Sequence, residues 1–359
     1  MENIWWKHIT RAKGFINHIA QAAEEKRLVC FYLPAATCPW PAAFYDQLDY
    51  VLKKHSGRQT NRVLACPETD FDGFLLEQYV KSDRAADFRP NLESLGTFIG
   101  RHRDIVLHSH RLIVTNINSY EKLTYWLHFT EDYLQAVDKA SACASFLLQV
   151  ELPQYQQLQK NPHDIRALSF ADYANHYSLL AYASLVLADL EVEPRLQPYL
   201  IELTASLCQE DVELCHLCLA YQEAFLQNPL EFLQETISSC TRSNGTHFAN
   251  TRPQEEIKRL IWQAQLKTIF PLIENYRLSF LRRHSSQLEE IMLHYPDFKE
   301  LTDFEINHLM YWYKNNRLLM DPHTEQLLSS FYRARNLLAH LTPLAYEDVL
   351  LLCKHGSHA

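Results

Sequence analysis

The sequence predicts an α/β N-terminal domain built on a parallel sheet, followed by all-α middle and C-terminal domains. Three observations carry this. Up to residue 151, short runs rich in Val, Ile, Leu and aromatics alternate with helix-length amphipathic stretches. Beyond Pro153 the strand signal fades and helical periodicity takes over. Glycine is scarce, 7 in 359 residues, which suits a mostly helical chain because glycine weakens helix interiors.

Residues 27–33 (RLVCFYL), 62–66 (RVLAC), 111–117 (RLIVTNI) and 144–151 (ASFLLQVE) read as buried strands. Stretches 41–55, 70–80, 91–101 and 119–139 read as helices. In the last, Leu123, Trp126, Leu127, Thr130, Tyr133, Leu134 and Val137 share one face. Strand alternating with helix implies parallel pairing with right-handed crossovers. Residues 1–151 are thus an α/β domain.

Residues 152–249 read as an acidic helical domain and linker. Within it, 164–235 reads as several helices punctuated by Pro194, Pro198 and Pro229. The polar segment 238–253, with Asn244-Gly245, reads as a loop and marks a boundary. Residues 250–359 read as a third domain of four or five helices. Pro253 suits a first helical turn, and Pro271 predicts a kink or break. Thr302 is expected as an N-cap with Glu305 closing a capping box and a Leu301/Ile306 staple. Asp321-Pro322 is an N-cap followed by proline at the first helical position, and Thr342-Pro343 repeats the device before a last helix.

Bulk properties narrow the function classes. The formal net charge of −9 is carried by the middle of the chain: residues 1–151 hold −1, 152–249 hold −8 and 250–359 hold 0. That argues against a nucleic-acid surface spread over the whole protein and leaves the C-terminal third as the better place for one. Nine scattered cysteines suggest reduced thiols and a cytoplasmic address. No apolar run is long enough to span a membrane, and the N-terminus lacks a signal-peptide pattern. With glycines only at 14, 57, 73, 96, 100, 245 and 356, neither G-x-G-x-x-G nor a Walker A motif is present.

The strongest chemical signal is Tyr332-Arg333-Ala334-Arg335-Asn336-Leu337-Leu338-Ala339-His340. Leu327, Leu328, Phe331, Leu338 and Leu341 are expected to pack inward. Asn336 and His340 are i and i+4, one turn apart on a helix, with Arg335 beside them. Histidine serves as general acid or base near neutral pH, and a guanidinium holds phosphate. RNA carries its own nucleophile, the 2′-OH, so such a site needs no metal and no cofactor.

The run Arg335-Asn336-Leu337-Leu338-Ala339-His340 resembles the R-x4-H motif of HEPN domains, within a small all-α unit and ahead of a proline-led final helix. The resemblance covers about 105 residues. It implies a metal-independent endoribonuclease of a prokaryotic defence or toxin system, working as a homodimer. Arg335, Asn336 and His340 take the catalytic places. Arg282 and Arg283, together with Arg277 and His284, form a second basic cluster on another helix, and with Arg333 they are the candidate RNA contacts. The bland readings stay open beside this one: a solvated helix face for the basic cluster, an ion pair of Arg335 with Asp321 or Glu325, and His340 as a helix C-terminal residue.

The α/β region resembles a P-loop ATPase in outline but departs from it at the defining positions. The turn after the first strand is Leu33-Pro34-Ala35-Ala36-Thr37-Cys38-Pro39-Trp40-Pro41, without glycine or lysine, and the third strand ends on Thr115 and Asn116 without an acid for Mg²⁺. Two readings stay open: a degenerate ATPase-like scaffold, or a plain structural α/β domain. Cys208, Cys215, His216 and Cys218 lack a second ligand pair at zinc spacing, and His102, His108 and His110 lack an adjacent acid or thiol. No metal site is expected. Two other readings remain: a non-catalytic interaction subunit of a multi-protein complex, dimerising through the C-terminal domain, and a nucleotide or RNA sensor.

Overall fold

The computed structural model describes residues 2–34, 37–55, 60–138, 143–160 and 165–356. Ala35 and Ala36 of the proline-rich turn, Gly57, Lys139 and Asp164 lie outside the described residues. The chain divides into two compact units, Met1–Ser178 and Leu179–Ala359.

Unit 1 begins with α1 (Glu2–His8) and α2 (Thr10–Glu25), then alternates strand and helix. The succession is β1 (Leu28–Tyr32), α3 (Pro41–His55), β2 (Thr60–Ala65), α4 (Phe71–Tyr79), α5 (Ser82–Ala85), α6 (Leu95–Arg101), β3 (His110–Ile117), α7 (Tyr120–Ala136), β4 (Ser145–Val150), α8 (Leu152–Lys160) and β5 (Arg166–Ser169). The strands form one sheet in the order β2-β3-β4-β1-β5, parallel at every pairing. Every residue of β4 is buried, as expected where helices cover both faces. Phe146 and Leu148 pack with Trp126, Phe129 and Tyr133 of α7 on one face. An aromatic cluster of Trp5, Trp6, Phe15, Phe31, Phe44 and Phe170 forms a second core around α1, α2 and α3.

The sheet corrects one expectation. Residues 166–169, read from sequence as part of a helical run, form a fifth strand on β1. A four-residue strand is too short to show a period. Pairing along β1 and burial of Leu168 and Ser169 decide its conformation.

Two of the rare glycines let helices approach closely. A Cβ on Gly96 would lie 2.4 Å from the Phe129 carbonyl oxygen, and one on Gly100 would lie 2.8 Å from Ala136 Cβ. Both face α7 from α6, one turn apart.

Helix α9 (His176–Leu187) crosses the division of the chain. Unit 2 continues with α10 (Gln197–Cys208), α11 (Val212–Ala220), α12 (Gln222–Gln227), α13 (Pro229–Gln234), α14 (Gln254–Thr268), α15 (Phe270–Arg283), α16 (Ser285–Met292), α17 (Ile306–Lys314), α18 (Pro322–Ala339) and α19 (Tyr346–Gly356). The 238–253 segment is irregular, as expected, yet it is tied down. Arg242 pairs with Asp211 and lies over Phe248, and Ser243 hydrogen-bonds the buried Glu213.

Proline punctuation holds in part. Helix α14 begins after Pro253, the chain breaks at Ile269 just before Pro271, and Asp321 caps α18 by accepting from His323 and Thr324 N–H. Thr302 is not an N-cap. It sits in a 3₁₀ turn, Leu301–Asp303, boxed by Glu300 and Asp303, and Glu305 itself caps α17. Helix α19 starts at Tyr346, not directly after Thr342-Pro343. No described helix is long and apolar enough to cross a membrane.

Candidate active site

Helix α18 owes its position to its apolar stripe. Leu328, Phe331 and Leu338 are fully buried, and the Phe331 ring stacks on Tyr276 of α15, centroids 3.9 Å apart and 5° from parallel. Leu341 departs from the expected inward packing. It is 68% exposed and has φ +59°, in the left-handed region. The reason is the helix end. Thr342 N–H reaches the Leu337 carbonyl at 2.9 Å and Leu341 N–H the Leu338 carbonyl at 3.3 Å, the Schellman pattern in which the residue after the C-cap turns left-handed. His340 is the C-cap.

Two side chains of α14 fix this end. Trp262 Nε1 donates to the Leu338 carbonyl at 2.7 Å. Buried Gln265 accepts from Leu344 N–H at 2.7 Å and donates to the Leu344 carbonyl at 3.0 Å, and also to Tyr199 Oη at 3.2 Å. The end of α18 and the chain between α18 and α19 are therefore tied to α14 by three side-chain-to-backbone hydrogen bonds.

Arg335 is half-buried, and its Nη2 lies 3.3 Å from Glu305 Oε2 at the start of α17. The ion pair expected with Asp321 or Glu325 as the bland alternative is formed with Glu305 instead. Asn336 and His340 reach solvent one turn apart, and neither side chain has a hydrogen-bond partner among the described residues. Arg335 and His340 are five residues apart, about 140° around the helix at 3.6 residues per turn. Within one chain the arginine leans toward Glu305 of the α17 cap, and the helical spacing sets His340 on a different face.

The remaining arginines do not converge on this end. Arg333 pairs with Asp348 of α19. Arg277 is structural, bonded to Glu274 and to the carbonyls of Thr302 and Phe304. Arg282 and Arg283 are exposed at the C-terminus of α15. Their neighbour His284 stacks on Phe280. Burial and then the Arg283 charge push its pKa down, while Asp321 opposes. Leu319 N–H, two residues before Asp321, donates to Gln287 Oε1 at 3.0 Å, so the end of α15 and the start of α16 lie near the N-terminal end of α18. Arg335 is 14 residues further along, about 21 Å at 1.5 Å per residue.

The chain matches no family model, no curated protein and no solved structure.

Two other motifs resolve as packing. His108 bonds Tyr133 Oη and the His102 carbonyl, and His110 bonds the Val106 carbonyl. Cys208 and Cys218 lie 3.9 Å apart, sulfur to sulfur, in the buried α10–α11 hairpin. Residues that sequence reasoning did not single out for this site are Trp262, Gln265 and Glu305. The first two bond backbone far along the chain, and no spacing rule reports that.

Proposed function

We propose that the protein is a metal-independent endoribonuclease of HEPN type, in which two copies bring their α18 ends together to build one site. The observation that carries this reading is the pair of half-buried Asn336 and exposed His340, one turn apart at an anchored helix end beside Arg335, whose side chains have no hydrogen-bond partner among the described residues. In the proposed reaction an imidazole takes the proton of an RNA 2′-OH as that oxygen attacks the adjacent phosphorus. The second copy's imidazole protonates the departing 5′ oxygen, leaving a 2′,3′-cyclic phosphate and a 5′-hydroxyl. Arg335 turns from Glu305 to the phosphate, where charge develops. Because Arg335 and His340 diverge within one chain, a paired site is the arrangement that joins them. Arg282 and Arg283, about 21 Å away along α18, serve as a distal contact for the RNA backbone, and a role in a prokaryotic defence or toxin system belongs to the same reading.

The parallel sheet of unit 1 and its glycine-free turn after β1 support a P-loop-ATPase-like scaffold without a phosphate loop, regulating the helical unit. The test is incubation of the purified chain with tRNA and mRNA in EDTA, beside His340→Ala. Cleavage by the parent and its loss in the variant are expected. Equal cleavage by both, or none by either, overturns the proposal.

One observation favours a second reading, a non-catalytic dimerising subunit. Arg333 and Arg335 are both neutralised by carboxylates, Asp348 and Glu305. That reading requires a stable dimer without any RNA turnover.

A further inference from the structure

Strand β1 lies between β4 and β5, so the β4-to-β5 crossover must pass over it. Helix α8 makes that crossover with nine residues, about 14 Å, beside α7 with 17 residues, about 26 Å. Both crossovers run in the same direction across the sheet, so with right-handed connections both helices cover the same face. Tyr155 and Leu158 of α8 accordingly share a core with Trp126 and Phe129 of α7. The shorter helix leaves the side of α7 that faces α8, away from α6, uncovered at the edge where the strands begin. The result is a cavity of about 680 Å³, within the range that holds small organic ligands.

Its chemistry is two-sided. Leu28, Leu127, Leu134 and Ile165 supply partly buried apolar surface, and Lys26 and Arg27 stand at one rim. Arg27 spends one N–H on the Cys143 carbonyl, and a guanidinium has five donors. The acids of the lining are engaged along their own helices, Glu25 by Gln21 and Glu131 by Gln135.

We infer that this cavity is a binding site for a small amphipathic anion. Its apolar body lies along Leu28, Leu127, Leu134 and Ile165, and its carboxylate or sulfonate meets Arg27.

The test is calorimetric titration of the full chain with 1-anilinonaphthalene-8-sulfonate and with N-phenyl-1-naphthylamine, which has the same apolar body and no charge. One sulfonate per chain is expected to bind. Arg27→Ala weakens the sulfonate by about tenfold, the effect of losing one charge-assisted contact, and leaves the neutral probe within about twofold. Leu134→Trp, which sets an indole across the apolar wall that the shared ring system would contact, weakens both probes, and melting curves confirm that each variant is folded. No one-to-one binding, or parent-like binding by folded Leu134→Trp, overturns the site. Equal weakening of both probes by Arg27→Ala overturns the anionic head.

Discussion

Gln265→Leu tests the anchoring of the α18–α19 connection. Gln265 is 1% exposed and makes three hydrogen bonds, two of them to the backbone of Leu344, which is itself buried. Leucine has nearly the same volume and keeps the site filled, but it strands the Leu344 N–H and C=O. Each stranded buried group costs about 1–3 kcal/mol. The added apolar burial returns about 1–2 kcal/mol. The expected net loss is therefore about 3 kcal/mol, read from equilibrium urea unfolding followed by circular dichroism and tryptophan fluorescence. Amide exchange at Leu344 and Tyr346 should rise with it. A loss below about 1 kcal/mol, with Leu344 still protected, refutes the anchoring argument.

Other perturbations probe separate parts of the account. Gly96→Ala places a methyl against the Phe129 carbonyl and Asp132 and should cost about 2 kcal/mol of thermal stability by overpacking; an unchanged melting temperature would deny the close α6–α7 approach. Leu341→Gly relieves a left-handed leucine and should stabilise by about 0.5 kcal/mol, the strain relieved less the added chain entropy. Arg335→Ala removes an exposed pair with Glu305 and should change stability by less than about 1 kcal/mol while abolishing RNA cleavage, so urea unfolding and activity are measured together. Burial pushes the Cys353 thiol up from 9.0 to about 11. Between those values the folded state keeps a proton that the unfolded chain loses, so this group's stabilisation is full below pH 9 and fades toward pH 11. Cys353→Val should flatten that alkaline loss in a pH series of melting temperatures.

Much of unit 1 was legible because its signals are local. Strands near 28–32, 60–65, 110–117 and 145–150, and helices α3, α4, α6 and α7, fall where apolar runs and periodicity placed them. The fifth strand was not, because four residues on a sheet edge take their conformation from β1. Near the candidate site, Asp321 and Pro322 announced the start of α18, and its apolar stripe announced the buried face. Leu341 was misplaced because a Schellman turn overrides the helical period just past the last turn. Glu305 was expected as the far half of a capping box and is itself the cap, since the preceding residues close a 3₁₀ turn first. The Arg335–Glu305 pair, like the Trp262 and Gln265 anchors, joins positions 30 to 79 residues apart, and sequence alone carries no record of such distances.

Metal-free cutting of RNA at the end of α18, through the RNA's own 2′-OH, leaves a chemical signature in the cut ends, read by mass spectrometry of tRNA incubated with the protein in EDTA. The expected ends are 2′,3′-cyclic phosphates and 5′-hydroxyls, formed by the parent chain and absent with His340→Ala. Cuts bearing 3′-hydroxyls and 5′-phosphates, or cyclic-phosphate ends that persist undiminished in His340→Ala, contradict that chemistry.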